Sequence, residues 1–211
     1  GEIEILDPTT SALGLALHNK AFDVRRFDCH YRSNTEALIA YSQARYYPDM
    51  HTFPAPVLID DELGFTDISV DGYCEDGMNV REAEEAVKAV ERHFDRYFDD
   101  KKGVLASSFG VVAFGIKQID LIKRLVEKNA ALNEKLNRAI QNFGDVAEKL
   151  AFFKTIETVQ GRETEHMILS LTYGRRKGGE VEQSFGELNR SSLGQCIFNV
   201  AVTRAKSSIT V

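Results

Sequence analysis

The stretch of sequence that decides the fold is Phe109-Gly110-Val111-Val112-Ala113-Phe114, an uninterrupted apolar run. A helical pattern follows it over residues 118–127. Strands that are buried on both faces have such continuous apolar runs, because helices cover both sides of a parallel sheet. The run and the helical pattern after it therefore predict one strand-helix unit of a parallel sheet.

The same alternation extends to both sides of this unit. Residues 79–98 repeat apolar side chains at helical spacing with charged residues between them, which predicts a long amphipathic helix. The other predicted elements are strands at 27–29, 57–59, 65–70, 152–156 and 167–172, a helix at 37–46, a helical insertion or arm at 129–150, and a long loop at 173–194. The expected fold is α/β, a parallel sheet flanked by helices, in a single domain over residues 1–211.

Composition narrows the class of protein. Of the 211 residues, 43% are hydrophobic and 27% are charged, as in ordinary soluble globular proteins. No apolar run approaches the roughly 18–20 residues of a membrane-spanning helix, so no membrane association is predicted. Cys29, Cys74 and Cys196 are widely spaced and odd in number, which argues against a disulfide framework or a zinc site and for a reducing cytoplasm. The net charge of −6 disfavours nucleic-acid binding by the whole surface, so such binding needs a local basic face or a partner domain.

The chain lacks a complete phosphate-binding loop. Such a loop needs Gly-x4-Gly-Lys-Ser/Thr, so that backbone amides and the lysine can cradle phosphates. The nearest match begins at Gly110, but Ile116 separates Gly115 from Lys117, and Gln118 stands where the hydroxyl is needed. We interpret this stretch as strand-to-helix packing. The sequence thus predicts a nucleotide-handling sheet without its own phosphate cradle, which is half of a bipartite site.

The last thirteen residues, 199–211, have the pattern of an amphipathic helix end that leads into a short apolar strand. The helix end carries Thr203, Arg204 and Lys206. An arginine placed there, beside a parallel sheet, can reach a phosphate held by a neighbouring domain. The alternative is that these basic residues only complement the helix dipole.

Several blocks of the chain, in order, carry a resemblance to a known family. They are His30-Tyr31-Arg32-Ser33, residues 110–118, Lys154-Thr155-Ile156-Glu157-Thr158-Val159-Gln160-Gly161-Arg162-Glu163, and residues 185–189 with 199–206. They resemble motif IV, the next strand-helix block, motif V and the run through motif VI of the second RecA-like domain of superfamily 1 DNA/RNA helicases. The branch that looks most similar includes the nonsense-mediated-decay RNA helicase and large multidomain bacterial helicases.

The resemblance implies a RecA-like sheet and a nucleotide site shared by two such domains. In these helicases ATP lies between the domains, and the first RecA-like domain of the same polypeptide supplies the phosphate loop and the Mg²⁺ ligands. The residues that the resemblance places at the nucleotide, here called the nucleotide set, are Tyr31, Arg32, Gln160, Gly161, Glu163 and Arg204. Those that it places on single-stranded DNA or RNA, here called the threonine set, are Thr155, Thr158 and Thr203.

Each member of the nucleotide set has an expected role. Tyr31 would stack on the base, while Arg32 and Arg204 would contact the γ-phosphate, with Arg204 as the arginine finger. The rest of the set would couple the nucleotide state to the strand-binding face, with Glu163 near the ribose or the γ-phosphate. The residue types suit these roles, since an aromatic face binds any base and a guanidinium fork matches phosphate oxygens. We expect the set to converge at the carboxyl ends of the strands.

Two other functions stay open. A non-catalytic RecA-like interaction module would account for the acidic balance and for Ala113, where relatives often carry a threonine. A metal-dependent nuclease would use Asp60, Asp99 and Lys101, which form a generic pattern. Without a phosphate loop, the chain is expected to be a fragment of a larger protein and not to hydrolyse ATP by itself.

Some residues also have structural alternatives. Tyr31 could be a core tyrosine, and Arg32 and Arg204 could form structural ion pairs. Residues 175–177 are either a nucleic-acid loop or a solvated run of charges. Cys29 is expected to be a buried cysteine rather than a nucleophile.

Overall fold

The computed structural model describes residues 14–16, 22–23, 25, 28–53, 63–144, 147–181, 185, 187–190 and 192–211. Its strands are β1 (Gly64–Thr66), β2 (Cys74–Glu75), β3 (Met78–Asn79), β4 (Phe98–Asp99), β5 (Val104–Leu105), β6 (Phe109–Ala113), β7 (Ala151–Thr155), β8 (Thr164–Ser170) and β9 (Ala205–Thr210). Its main α-helices are α1 (Ala40–Tyr46), α2 (Val80–Tyr97), α3 (Ile116–Lys128), α4 (Ala130–Phe143), α5 (Glu187–Arg190) and α6 (Ser192–Val202).

Five strands form one parallel sheet in the order β1-β9-β8-β6-β7. Because they all run in one direction, the sheet has an edge where strands begin, here called the amino edge, and an edge where they end, the carboxyl edge. Ala113, Thr155 and Ser170 lie side by side at the carboxyl edge, and Thr164 pairs with Ala205 at the amino edge. Helices cover both faces of the sheet, so the predicted α/β, RecA-like fold is confirmed.

Side chains that alternate along β6 divide the core into two layers. Phe109, Val111 and Ala113 belong to a cluster with α2, α3 and α4, whereas Val112 belongs to a cluster with β7, β8 and α6. All four side chains are fully buried. Both faces of β6 are therefore inside the protein, which explains its continuous apolar run.

The near match to a phosphate loop is part of this packing. Gly110 lies inside β6 and pairs directly with Phe152 of β7. A Cβ at Gly110 would lie 2.3 Å from Cζ of the Phe152 ring, so only glycine leaves room for that ring. Lys117 forms an ion pair with Asp76 in the turn between β2 and β3, with Nζ 2.6 Å from Oδ1. The interpretation of this stretch as strand-to-helix packing agrees with these contacts.

The most regular elements were predicted best. The helix predicted at 79–98 is α2, and Asn79 caps it because its Oδ1 accepts a hydrogen bond from Glu82 N at 3.2 Å. The strands predicted at 109–114, 152–156 and 167–172 are β6, β7 and β8, with bounds that differ by up to three residues.

Other predictions were wrong in extent. The helix predicted at 37–46 is divided into a 3-10 turn, Glu36–Leu38, and α1, and the strand predicted at 65–70 is only β1. The loop predicted at 173–194 includes α5 and the start of α6, because Leu188 and the apolar side of α6 pack against the core despite a polar local sequence. The strand predicted at 57–59 lies outside the described residues. Of the strand predicted at 27–29, Cys29 forms an isolated bridge with His51.

Helix α4 occupies much of the segment predicted as a helical insertion or arm. Its Leu132, Leu136 and Ala139 are buried in the cluster with α2 and α3, so this helix packs on the body of the domain. The extent of the domain over residues 1–211 remains a prediction. Among the described residues, no helix has both the length and the apolar character needed to cross a bilayer.

Candidate functional site

Arg204 lies in the turn between α6 and β9. Its Nε donates to Val200 O at 2.8 Å, and its Nη2 donates to Thr203 Oγ1 at 3.1 Å. The Thr203 hydroxyl is itself bound to the helix end, 2.9 Å from Asn199 O. The guanidinium is thus held against the last carbonyls of α6 and is half-buried. The helix ends at Val202, so Thr203 and Arg204 follow it, which corrects the predicted helix end.

This geometry agrees with the alternative in which Arg204 complements the helix dipole. It also leaves part of the guanidinium able to bind an anion. A guanidinium has five N–H donors, and the two hydrogen bonds above use two of them. The other donors make no hydrogen bond with residues that the structure describes. Burial and then the nearby charge of Arg32 lower the pKa of Arg204, while Glu163 opposes that shift. Burial and a neighbouring cation thus both disfavour the positive charge of Arg204, so an anion bound beside it would stabilise that charge.

Glu163 is the carboxylate on which the nearby cations converge. Lys206 Nζ lies 3.0 Å from Glu163 Oε1, and Arg32 Nε lies 3.9 Å from Oε2. The hydrogen bond from Lys206 lowers the pKa of Glu163 most, and the charges of Lys206, Arg32 and Arg204 lower it further. Both side chains of the Arg32–Glu163 pair are exposed by a third or more, 36% and 53%, so water weakens this pair. Arg32 is consequently held loosely.

Asn34 attaches the segment that carries Tyr31 and Arg32 to the first residues of β9. Its backbone N donates to Lys206 O at 2.6 Å, and its Nδ2 donates to Ser207 Oγ at 2.8 Å. Tyr31 is 82% exposed, so the alternative that it is a core tyrosine is wrong. The segment therefore presents an aromatic ring and a guanidinium to solvent at the amino edge.

The residues just before Tyr31 do not form a nucleophilic pair. Cys29 is exposed, so the expectation of a buried cysteine is wrong. A hydrogen bond with Asp28 raises the pKa of the Cys29 thiol, which disfavours the thiolate. His30 Nε2 accepts a hydrogen bond from Ser33 N at 3.0 Å and stabilises the turn that Arg32 occupies.

Arg32, Glu163 and Arg204 meet at the amino edge of the sheet, not at the carboxyl edge as expected. Glu163 immediately precedes β8 and Arg204 immediately precedes β9, and these two strands are paired in parallel. Residues that precede paired parallel strands lie at the edge where strands begin. The expectation rested on the usual position of ligands beyond the carboxyl ends of strands, which does not apply to this cluster.

Gln160 and Gly161 share the loop between β7 and β8 with Glu163. Both are exposed, and Gly161 has a φ of +81°, a conformation that favours glycine. Ile156 and Val159 anchor the loop, since both are buried in the core. The loop leaves the carboxyl edge at Thr155 and reaches the amino edge at Glu163, so it joins the two edges directly.

Thr155 and Thr158 lie at the carboxyl edge, away from Glu163. The Thr158 hydroxyl donates to Thr155 O at 3.2 Å and accepts from Thr155 N at 3.1 Å. The two hydroxyl oxygens are 3.0 Å apart. The threonine set is therefore divided, because Thr203 lies with Arg204 at the opposite edge.

Lys206 belongs to this site, although no sequence motif assigns it a role there. It lies in β9, bonds to Glu163 and is 4.0 Å from Glu165 Oε1. Glu163-x-Glu165 and Arg204-x-Lys206 are spaced by two residues on neighbouring strands, which puts opposite charges on one side of the pair. That spacing is visible in the sequence, but the pairing of β8 with β9 is not.

The residues suggested for a nuclease are used differently. Asp99 Oδ1 accepts hydrogen bonds from Lys101 N at 3.0 Å and Lys102 N at 3.1 Å, which closes the turn between β4 and β5. Asp60 lies outside the described residues. In the part of the chain that the structure describes, no group of three His, Cys, Asp or Glu is placed to hold a metal ion.

The chain is similar in sequence to a known domain family and to two known proteins. Residues 65–211 match the family model described as "AAA domain", and the chain therefore belongs to that family. It is similar to the "Uncharacterized ATP-dependent helicase MG140" of Mycoplasma genitalium, with 34% identity over 212 residues, 99% of this chain and 18% of that protein. It is also similar to the "Uncharacterized ATP-dependent helicase MG140 homolog" of Mycoplasma pneumoniae, with 30% identity over 211 residues, again 99% and 18%. The chain spans less than a fifth of the length of these two relatives.

Proposed function

We propose that this domain is one half of an ATP-dependent helicase or translocase motor that acts on single-stranded DNA or RNA. The observation that carries the proposal is the cluster at the amino edge. There Arg32, Arg204 and Lys206 surround Glu163, with Glu165 behind it, so three cations face two carboxylates. A net positive, partly exposed cluster next to an exposed tyrosine suits the outer phosphates and the base of a nucleotide. The two Mycoplasma relatives, which are named as ATP-dependent helicases, support the same function.

The residues present fit only part of an ATP site. Tyr31 offers a stacking surface, Arg32 and Arg204 offer guanidinium groups, and Glu163 pairs with the nearby cations until phosphate competes for them. When bound, ATP with Mg²⁺ supplies the phosphoryl group that is transferred to water. We assign the phosphate loop and the Mg²⁺ ligands to a first RecA-like domain of the same polypeptide. This domain alone should then hydrolyse no ATP at a useful rate.

Arg204 is the residue that we assign as arginine finger. Its contact with the end of α6 fixes the guanidinium before a nucleotide arrives, so less side-chain entropy is lost on binding. Arg32 is held by a longer contact and can turn toward a phosphate at little cost. A planar cation placed in advance stabilises charge that develops on a phosphoryl group during transfer.

The β7–β8 loop is the element that we propose couples the nucleotide to the strand. Gln160, Gly161 and Glu163 sit toward its amino-edge end, while Thr155 and Thr158 begin it at the carboxyl edge. If phosphate replaces Glu163 as the partner of Arg32 and Lys206, Glu163 would move. That movement would be transmitted through the loop to Thr155. The free cysteines are widely spaced, which favours a reducing cytoplasm as the location of this motor.

The test replaces Arg204 in the full-length protein. Arg204→Lys and Arg204→Ala should lower single-turnover ATP hydrolysis on the order of 10²-fold or more, since arginine fingers contribute about 10³–10⁵. Nucleotide affinity should stay within about tenfold, because the phosphate loop belongs to the other domain. Arg92→Ala is the matched control, because Arg92 is an exposed arginine paired with Glu85 on α2.

Thermal melting of the same variants separates catalysis from folding. Arg204→Ala removes the contacts to Val200 and Thr203, so it should cost about 1 kcal/mol, the upper end of what an exposed cation at a helix C-terminus usually contributes. Normal hydrolysis in Arg204→Ala would refute the finger role. A loss of several kcal/mol together with unchanged turnover per folded molecule would show that Arg204 is structural.

A further inference from the structure

The segment after β8 forms a small hairpin with three consecutive cations. Residues 173–181, here called the basic hairpin, turn back at Gly179, whose N donates to Arg176 O at 2.9 Å. Arg176 N donates to Glu180 O at 2.7 Å, and Arg175 forms an antiparallel β-bridge with Val181. Arg175, Arg176 and Lys177 are all exposed. The three cations therefore sit on a folded turn, not on an unstructured run of charges.

The base of this hairpin is held in place by the body of the domain. Thr172 has a φ of +70°, which is strained for a β-branched residue, and it is fully buried. Its backbone N donates to Glu82 Oε1 at 2.9 Å, and Ser170 Oγ donates to the same oxygen at 2.7 Å. Cys74 N donates to Arg175 O at 2.8 Å. These contacts fix the base of the hairpin against the domain and therefore limit where the cations lie.

The hairpin rises from the same edge as Thr155 and Thr158. It follows β8, and only β6 separates β8 from β7 in the sheet. Two strand spacings put the two carboxyl ends about 10 Å apart. A single strand that lies along the carboxyl edge can therefore contact the threonine hydroxyls and the hairpin cations together.

Aromatic side chains lie beside these cations. Tyr173, which begins the hairpin, is 5.7 Å from the Phe185 ring, and Phe185 is 6.0 Å from the Phe114 ring. Tyr73 forms a parallel β-bridge with Arg175, and its side chain is 49% exposed. Cations interleaved with aromatic rings are the surface on which single-stranded nucleic acids bind without sequence preference.

Lys177 and Arg175 are the hairpin cations that are available to phosphate. Lys177 lies 2.7 Å from Glu75 Oε2, but both side chains are largely exposed, at 71% and 67%. Exposed ion pairs of this kind contribute about 0–1 kcal/mol, so a phosphate can replace the carboxylate at little cost. Arg175 forms no ion pair with any residue in the described ranges. Since the whole chain carries a charge of −6, phosphate attraction must come from such a local site.

We propose that the basic hairpin binds the phosphate backbone of single-stranded nucleic acid and extends the strand-binding surface beyond Thr155 and Thr158. The proposal rests on the proposed function for the identity of the strand. It assigns Arg175, Arg176 and Lys177 to sequence-independent phosphate contacts, and it assigns Tyr173 and Tyr73 to the flanking stacking surface. The hairpin acts in binding only and takes no part in ATP hydrolysis.

The test measures how the full-length protein binds fluorescein-labelled oligothymidylate and oligouridylate at several salt concentrations without nucleotide. The variant R175A/R176A/K177A is compared with K88A/R92A/K101A, which removes three exposed cations from α2 and the β4–β5 turn. Loss of three phosphate contacts should reduce the slope of log K against log salt by about 2, since each contact to a single strand contributes about 0.7. The same relation predicts a loss of affinity on the order of 10²-fold at about 0.1 M salt. The control triple should keep the wild-type slope.

A second measurement does not depend on how the triple variant folds. Gly178 has open space around it, so p-benzoylphenylalanine at position 178 should cross-link to the labelled strand, while the same residue at position 101 should not. A wild-type slope in the hairpin variant, or no cross-link at 178, would overturn the proposal. Basal ATP hydrolysis without a strand should be unchanged in the hairpin variant, so this result is separate from that of Arg204. A wild-type protein that binds neither strand would overturn both proposals.

Discussion

Replacing Gly110 with alanine tests whether this glycine serves packing or a phosphate loop. An alanine methyl would lie 2.3 Å from Cζ and 2.5 Å from Cε2 of the Phe152 ring, which is almost fully buried. To restore ordinary contact the ring must move by about 1 Å, against a filled layer of the core. Overpacking of this kind costs about 1–3 kcal/mol, and the short contact puts Gly110→Ala at the upper end. Reduced freedom of the unfolded chain offsets about 0.5–1 kcal/mol. The expected net loss is about 2 kcal/mol.

Urea unfolding of the chain measures this loss, and a double mutant identifies its cause. Phe152→Leu removes the ring atoms that the new methyl would meet, so Gly110→Ala should cost at least about 1 kcal/mol less in that background. Gly178→Ala is the matched control, since nothing lies within 4 Å of a Cβ there and the residue has no positive φ. That control should change the free energy of unfolding by less than about 0.5 kcal/mol.

The opposite result would contradict the packing argument. If Gly110→Ala kept full stability but weakened nucleotide binding in the full-length protein, Gly110 would be a phosphate-loop glycine. Strictly additive effects of Gly110→Ala and Phe152→Leu would show that the methyl does not meet the ring.

Two further predictions concern titrating groups. Burial lowers the pKa of His93 to about 4, below the value of about 6.5 in an unfolded chain, so the unfolded state takes up the proton first. The free energy of unfolding should therefore fall by up to about 3 kcal/mol as the pH drops from about 6.5 to 4, and this part of the fall should be missing in urea unfolding of His93→Gln. Lys206→Met removes the hydrogen bond that contributes most to the low pKa of Glu163, so the carboxyl ¹³C titration of Glu163 should move to higher pH. Lys88→Met, which removes a cation from α2, should leave that titration unchanged, and an unshifted Glu163 in Lys206→Met would contradict the described contact.

Much of the fold was predictable because its signals are local. The apolar run of β6 and the helical spacing of α2 each reflect burial of neighbouring residues in the chain, and Asn79 marks the start of α2 by capping it. Elements that depend on distant contacts were predicted less well. Helix α6 begins within the polar stretch that was predicted as a loop, although its later residues are apolar and pack on the sheet.

Gln118 shows how a buried polar contact escapes sequence reasoning. In the sequence it only replaces the hydroxyl of a phosphate loop at the start of a predicted helix. In the structure it is fully buried, its Oε1 accepts from Asn79 N at 2.8 Å, and its Nε2 lies 3.1 Å from both Asn79 O and Ser170 Oγ. These bonds tie α2, α3 and β8 together. Their partners are separated by tens of residues, so spacing along the chain does not reveal them.

The sequence by itself determined the residue types of the candidate site and the class of fold, because motif spacing and apolar periodicity are properties of short segments. Only the tertiary structure decided that Arg32, Glu163 and Arg204 meet at the amino edge, that Lys206 joins them, and that Thr155 and Thr158 lie at the other edge. The reason is that parallel pairing of β8 with β9 brings the residues before each strand together. Which strands pair follows from how the two core layers pack as a whole, and no single segment encodes it.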